Sequence, residues 1–547
     1  MTAHHSQVEA LIAAAEPGVP RELGGAIERL EHFGLLRGAV VAGQAVKPAT
    51  LATLTIRGIT EDSRAIRDGW LFAAVPGFHV DGHRFAAAAG AAGAMVALVE
   101  RPVDDLAITQ LLVSDTRAAL ARVAGWWYGN PSRELGVIGI TGTDGKTTTA
   151  FLAVAALEAA GLSTGLIGTV DTKIGAVRER HESHVTTPSA PELQAMLRAM
   201  AGNGNAAAVV ETTSHALALD RVLGIAYDAA LFTNLTHEHL ELHGTFEAYR
   251  DAKLRLFARL APGPENPAKS IAGRPWPKVA IVNADDPNAG RFIAAALAAG
   301  ARVTTYGKDP AAHVRIAAID EDRRRLRVSY AAPSGAASIE LQLAGRFNAH
   351  NALAVVALGD ALGLDPRAIR AGLESVDGVP GRMERIETGQ PFGVVVDYAH
   401  SPASLEVVLD LLAPLARAGG GGLIAVFGSA GERDTAKRAE MGRIAGERCR
   451  LVIATDEDPR GEAPAAIVDE IVRGAEIAGR HRGDDVLGIP DRRTAIGTAF
   501  DRARPGDIVL LAGKGHEPTI LYADRAMPWD EAAVAREALA QLGFGGG

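Results

Sequence analysis

The sequence predicts an α/β protein built on mainly parallel sheets. Short apolar runs recur along most of the chain, each ending in a glycine-rich or polar cluster before a helical stretch. At 547 residues the chain exceeds what one hydrophobic core supports. Breakers at Asn130-Pro131 and Val379-Pro380-Gly381 divide it into three expected domains, residues 1–134, 135–378 and 379–547.

The elements follow in order. Residues up to about Pro48 read as an extension with one or two amphipathic helices and no chemical signal. From Leu54 to Pro131 short strands alternate with Ala-rich helices, closing on Trp126-Trp127-Tyr128. The second domain opens with an apolar strand at 136–140 that runs into a glycine-rich turn. It continues with strands at 208–211, 229–233 and 279–283, separated by helices. Residues 262–277, rich in Pro and Gly, read as a surface insertion. Residues 314–316 and 326–330 alternate about a charged tip and predict an antiparallel hairpin flanking the sheet. In the third domain four apolar strands are expected at 394–396, 423–427, 451–454 and 508–511. Ligands of open α/β sheets bind beyond the carboxyl ends of strands, so the four clusters that follow should converge on one site. The runs 419–422 and 545–547 read as a glycine loop and a frayed end.

Composition excludes several functions. Hydrophobic residues make up 48% and charged residues 22%, which suits a globular chain rather than a disordered one. A net charge of -9, with no sustained Lys/Arg stripe, argues against nucleic acid as a partner. The run Arg323-Arg324-Arg325 sits against Glu321-Asp322 and reads as a solvated hairpin end. Cys449 is the only cysteine, which rules out an intramolecular disulfide or a multi-cysteine metal site and favours a reducing compartment. No basic n-region precedes an apolar stretch, and no uncharged run is long enough to span a bilayer. A cytosolic monomer without membrane insertion is expected.

The sharpest local signal is Thr141-Gly142-Thr143-Asp144-Gly145-Lys146-Thr147-Thr148, directly after a strand and opening a helix. Glycines let backbone N–H groups approach a polyphosphate, and the helix N-terminus favours its charge. Lys146 can reach the outer phosphates, and the Thr147 hydroxyl is placed to ligate Mg²⁺. The standard P-loop spacing is not met, because neither Gly139 nor Gly142 precedes Gly145-Lys146 at the usual interval. A plain glycine-rich turn is the alternative reading.

That loop resembles the Gly-Thr-Asn-Gly-Lys-Thr loop of the Mur ligase family and of folylpolyglutamate synthases, with Asp144 in place of the Asn. Further motifs appear in the Mur order. Glu211-Thr212-Thr213-Ser214-His215 resembles Glu-Val-Ser-Ser-His. The run from Asn234 to Gly244 resembles Asn-Leu-Thr-x-Asp-His-Leu-Asp-x-His-Gly, with Glu238 for the first Asp, and Lys253 follows in Ala-Lys-x-x-Leu-Phe. Gly381-Arg382-Met383-Glu384, Asp397-Tyr398-Ala399-His400, Gly428 to Arg438, and Gly513-Lys514-Gly515-His516-Glu517 complete the series. The resemblance covers about Leu54 to Tyr522. It is strongest to the members that add the third amino acid of the peptidoglycan stem peptide.

The resemblance implies a UDP-binding α/β first domain, a central P-loop ATPase-like domain and a Rossmann-like third domain. It further implies ATP and Mg²⁺ as cofactors, and UDP-N-acetylmuramoyl-L-alanyl-D-glutamate and a diamino acid as substrates. Gly142 to Thr148, Asn283, Arg382 and Asp397 are assigned by it to ATP, and Thr147, Glu211, His239 and a carbamylated Lys253 to metal. Catalysis would rest on Lys146, Lys253, His239 and Glu211. Ser63, Thr186, Thr187, Thr213 and Arg221 would hold the UDP-sugar, although Leu219 stands where a Gln is usual and Thr213 where a Ser is usual.

Arg433, Asp458, Arg460, Gly513 and Glu517 would receive the amino acid. Thr455-Asp456-Glu457-Asp458-Pro459-Arg460 stands where diaminopimelate enzymes carry Asp-Asn-Pro-Arg. Arg460 suits a distal carboxylate and favours meso-diaminopimelate. Asp458 in place of Asn suits an ammonium and keeps L-lysine and L-ornithine open. The D-Ala-D-Ala-adding ligase and a folylpolyglutamate synthase remain alternatives within ligases, although the Gly-Lys-Gly-His-Glu and Asp-Tyr-Ala-His blocks argue against both. A non-enzymatic P-loop regulator is the alternative from another class; it would be expected to have lost Glu211, His239 and Lys253.

Overall fold

Parallel strands need long crossovers, and the helical stretches between the apolar runs supply them. The computed structural model describes residues 6–77, 80–180, 185–236, 240–321 and 325–545. The chain packs into two units. The larger comprises 1–318, 328–339 and 349–375, the smaller 319–327, 340–348 and 376–547.

The larger unit holds two large sheets and two small two-stranded ones. The first has six strands in the order Gln44–Val46, Leu36–Val41, Thr109–Val113, Ala94–Val99, Trp70–Ala73, Gly58–Thr60. This corrects the reading of residues before Pro48 as a helical extension. The helices Gln7–Ala14 and Gly24–His32 are present, but Leu36–Val41 also pairs antiparallel with Thr109–Val113 inside the sheet.

The main sheet runs Val177–Arg180, Asp171–Ile174, Thr164–Ile167, Ala207–Glu211, Gly136–Thr141, Ala229–Phe232, Val279–Asn283, Arg302–Gly307, and continues into 314–318. Six of these strands, from Thr164–Ile167 to Arg302–Gly307, are parallel neighbours. After Gly136–Thr141 the chain moves to one side of that strand, then returns to the other. The end of Gly136–Thr141 is therefore the topological switch point, the place where open α/β sheets bind their ligands. Helices Ala190–Gly202, Phe246–Ala258 and Ala289–Ala298 pack on the sheet, with Phe292 stacked 3.8 Å from Phe232 and edge-on to Phe257. Each such fully buried side chain contributes about 1.5–3 kcal/mol.

Residues 262–277 are not simply a surface insertion. Lys269–Ile271 pairs with Arg274–Trp276 in a hairpin, and Lys269 is buried. Its ammonium donates to Asp228 Oδ2 at 2.6 Å and to the carbonyls of Ser132, Leu135 and Ala226. Lys278 donates to the other Asp228 oxygen at 2.8 Å. A buried carboxylate needs such partners, and the insertion delivers one of them.

The smaller unit has one six-stranded sheet in the order Glu384–Arg385, Gly393–Asp397, Ile508–Ala512, Leu423–Phe427, Leu451–Ala454, Val486–Gly488. All but the first pair are parallel. Helices Pro402–Ala418, Ala436–Arg448 and Pro464–Ile477 cover one face, and Arg492–Arg502 and Glu531–Gln541 the other. The central strands Ile508–Ala512, Leu423–Phe427 and Leu451–Ala454 are uniformly apolar because both faces are covered. Among the described residues no helix is long and apolar enough to cross a membrane.

Candidate active site

At the switch point of the larger unit the chain turns from Thr141 into the helix Lys146–Ala159 through Gly142, Thr143, Asp144 and Gly145. Gly142 (φ 154°) and Gly145 (φ 80°) have backbone conformations that L side chains rarely adopt, and a Cβ on either would collide with Thr233 or Asn351. The loop is held from the next strand exit. The Thr143 N–H donates to Asn234 O, the Asp144 N–H to Asn234 Oδ1 at 2.9 Å, and the Thr233 hydroxyl to Asp144 O at 2.6 Å. Asp144, in the place of the family's Asn, uses its backbone for these bonds. Thr148 is buried in the helix's first turn.

Lys146 folds back, donating to Gly142 O at 3.0 Å and Thr143 O at 2.6 Å. Lys253, buried on helix Phe246–Ala258, donates to the same Gly142 oxygen at 2.7 Å. Two ammonium groups meeting at one carbonyl repel each other, which a bound polyanion relieves.

Glu211 ends strand Ala207–Glu211 and is fully buried. Its Oε2 accepts from the Thr147 hydroxyl at 2.9 Å and the Thr169 hydroxyl at 3.0 Å; Oε1 accepts from the Thr169 N–H at 2.8 Å. Thr147 and Glu211 thus present hard oxygen donors side by side. Mg²⁺ takes one or two protein carboxylates together with substrate phosphates, so this set fits it. His239, the third metal candidate, lies outside the described residues.

The candidate sugar-nucleotide residues run on from Glu211. The Thr187 hydroxyl donates to Glu211 O at 2.7 Å and lies 3.2 Å from the Thr213 hydroxyl. Thr186 meets Thr169 at 3.1 Å, and Arg221 donates to Thr187 O at 3.1 Å. Ser63 follows strand Gly58–Thr60, and its neighbour Glu61 is near enough to Arg221 for their charges to interact. Asn283, at the end of its strand, donates to Thr233 O at 2.7 Å and so buttresses the residue that supports the phosphate loop.

The other candidates belong to the smaller unit. Asp397, ending strand Gly393–Asp397, accepts from the N–H groups of Met383 and Ala399, both at 2.8 Å, and so folds the segment carrying Arg382 onto the strand. The Arg382 guanidinium lies 4.7 Å from the centre of the Tyr398 ring. Asp458 is buried, and its Oδ1 accepts from Lys514 Nζ at 2.8 Å and the Leu521 N–H at 3.0 Å. Lys514 also donates to Glu517 at 2.6 Å, and Tyr398 donates to the other Glu517 oxygen at 3.2 Å. Gly513 lies against the buried Glu457. Arg433 is exposed.

Arg460 has φ 53° and its N–H donates to Leu521 O. Among the described residues of this unit, the other non-glycine residues with positive φ are Met383 and Glu432, so all three lie in the loops after the strands or leading into them. Backbone held in sparsely populated conformations collects at ligand sites.

Sequence reasoning left unassigned Thr169, Asn234, Tyr249 and Lys514. Tyr249 lies 3.0 Å from the Thr143 hydroxyl, and Asn234 and Lys514 sit inside quoted motifs. Tyr249 stands three residues before the Ala-Lys-x-x-Leu-Phe run, and Thr169, in the loop after Thr164–Ile167, is far from any quoted motif.

Residues 55–125 match the Mur ligase family catalytic domain, 140–359 the Mur ligase middle domain, and 381–515 the Mur ligase glutamate ligase domain. A UDP-N-acetylmuramyl-tripeptide synthetase of Roseiflexus sp. (strain RS-1) is 50% identical over 497 residues, 90% of this chain and 96% of the relative. A UDP-N-acetylmuramoyl-L-alanyl-D-glutamate–2,6-diaminopimelate ligase of Streptomyces coelicolor is 40% identical, covering 92% and 96%. A solved structure of a ligase of that same description superposes with a TM-score of 0.61 at 29% identity, covering 90% of this chain and 96% of its own. The chain belongs to the Mur ligase family and is an ATP-dependent ligase that forms amide bonds.

Proposed function

We propose that the chain joins a diamino acid, meso-diaminopimelate in preference to L-lysine or L-ornithine, to UDP-N-acetylmuramoyl-L-alanyl-D-glutamate in peptidoglycan synthesis. The observation that carries this reading is the continuity through Glu211. Its carboxylate meets Thr147 of the phosphate loop, and its carbonyl meets Thr187 of the candidate sugar-nucleotide side. A ligase must bring ATP and a substrate carboxylate together, and one buried residue here serves both neighbourhoods.

The γ-phosphoryl group of ATP passes to the terminal carboxylate of the dipeptide, giving an acyl phosphate and ADP. The amine of the incoming amino acid attacks the acyl carbon, and the tetrahedral intermediate collapses with loss of phosphate. Lys146 leaves its loop carbonyls to offset charge on the transferring phosphoryl group. The backbone N–H groups of the loop and the start of helix Lys146–Ala159 hold the polyphosphate. Mg²⁺, held by Thr147 and Glu211, would supply further neutralisation of that charge. Lys253, carbamylated, would turn a buried cation into an anionic partner of that site.

For the amino acid, Arg460 suits a bidentate bond to the distal carboxylate of diaminopimelate. Asp458 already accepts from Lys514 and the Leu521 N–H, so its charge is compensated within the protein and attracts a ligand ammonium weakly. Both features favour diaminopimelate. The names of the relatives are consistent with it without deciding it, since the Roseiflexus protein is named for the tripeptide alone.

Phosphate release from ATP, Mg²⁺ and the UDP-dipeptide tests this, with the three amines compared. Release that depends on diaminopimelate is expected. Release with lysine or ornithine instead would keep the ligase and overturn the role of Arg460. No release with any amine would remove the proposal.

A further inference from the structure

Arg492 is the first residue of helix Arg492–Arg502, where a cation is disfavoured by the exposed N–H groups of the helix start. It is nevertheless buried, with its side chain wholly out of contact with solvent. Glu531, equally buried, is the first residue of helix Glu531–Gln541. Nη2 and Nε of Arg492 donate to the Glu531 carboxylate at 2.6 and 3.0 Å, and Trp529 donates to the same carboxylate.

The remaining donors go to backbone. Nη1 reaches Asp456 O at 3.0 Å and Nη2 reaches Ala512 O at 2.8 Å. These carbonyls lie where strands Leu451–Ala454 and Ile508–Ala512 give way to the loops 455–460 and 513–517. The two strands are not neighbours, because Leu423–Phe427 runs between them. Ladder hydrogen bonds fix strand spacing inside the sheet but not beyond its edge. One rigid guanidinium spans the gap there and ties the two loop origins together.

Fold stability alone does not require such a pair, since well-packed apolar replacements of buried ion pairs are often neutral or stabilising. We propose that Arg492, oriented by Glu531, is a positioning residue that sets the spacing of the two loops that receive the incoming amino acid. This rests on the reading of Asp458, Arg460, Gly513 and Glu517 as the amino-acid site. Arg492 itself touches no substrate.

The test compares wild type with Arg492→Lys, Arg492→Met and the double variant Arg492→Met/Glu531→Met. The double variant leaves no unpaired charge and keeps the test usable if the single Met variant fails to fold. Michaelis constants for the diamino acid, ATP and the UDP-dipeptide are measured beside thermal melting and amide hydrogen exchange.

In folded variants the KM for the diamino acid should rise about ten- to a hundredfold, as expected for loss of charge-assisted hydrogen bonds. KM for ATP should stay within about twofold, and exchange at 455–460 and 513–517 should quicken. An unchanged amine KM in the double variant, or three KM values rising together with unchanged exchange, would overturn the clamp. Wild type that releases no phosphate with any amine, while exchange at both loops still quickens in the variants, would instead overturn the amino-acid reading and leave the clamp standing.

Discussion

The two candidate clusters handle charge in opposite ways. At the switch point of the larger unit, Lys146 donates to backbone carbonyls, and the Glu211 carboxylate accepts from threonine hydroxyls and one N–H. In the smaller unit the charges are committed to one another: Lys514 to Asp458 and Glu517, and Arg492 to Glu531. Neutral partners are exchanged readily for a phosphate or a cation. Buried ion pairs are not, because separating them leaves a desolvated charge. The first cluster is built to change partners during a reaction, the second to hold a shape that selects.

The largest effects should therefore come from the first cluster and fall on rate. Lys146→Ala should lower kcat by about 10²–10³-fold or more, the range for removing a donor aimed at developing charge, with melting temperature little changed. Lys253→Ala should lower activity comparably, yet only this variant should be partly restored by a small added carboxylate, since an anion is what the site is proposed to need. Wild-type turnover in Lys146→Ala would break the comparison at its first term. Rescue of both variants alike, or of neither, would remove the carbamate from it.

The second cluster should answer first in stability. Lys514→Met would leave the buried Asp458 and the partly buried Glu517 without their shared cation, and should destabilise the protein by about 3–5 kcal/mol. Chemical denaturation reads this directly. A loss below about 1 kcal/mol would mean that the triad behaves as exposed ion pairs do, and the contrast between the clusters would dissolve.

This contrast also explains what could be read from the sequence. The phosphate loop is a contiguous run, and strands such as Val279–Asn283, Leu423–Phe427 and Leu451–Ala454 stand at the bounds their apolar patterns predict. The mainly parallel α/β class followed from the same patterns. Partnerships across the chain were not legible. Arg492 reads as an ordinary helix cation until Glu531, 39 residues away, is folded against it. Lys269 sits in a Pro/Gly-rich stretch that signals a loop, and only the distant Asp228 explains its burial. Leu36–Val41 was missed because Gly38 interrupts a short, half-exposed run, whose strand character comes from Thr109–Val113.

The smallest expected effect lies at the edge of the second cluster. Asp456 is buried, with Oδ2 accepting from Tyr522 at 3.0 Å and Oδ1 without a hydrogen-bond partner among the described residues. Burial pushes its carboxyl up to about 6, against an ordinary value of 3.8, with Tyr522 and Arg492 only partly opposing. The folded state therefore prefers the protonated form. Stability from this group is greatest below the unfolded value and declines as pH rises through about 6. Asp456→Asn removes that decline, so the variant should gain on wild type by about 1 kcal/mol between pH 5 and pH 8, allowing for the part water still screens. Parallel melting curves across that interval would show that Asp456 is ionised at no cost, and that not every charge in this cluster is committed.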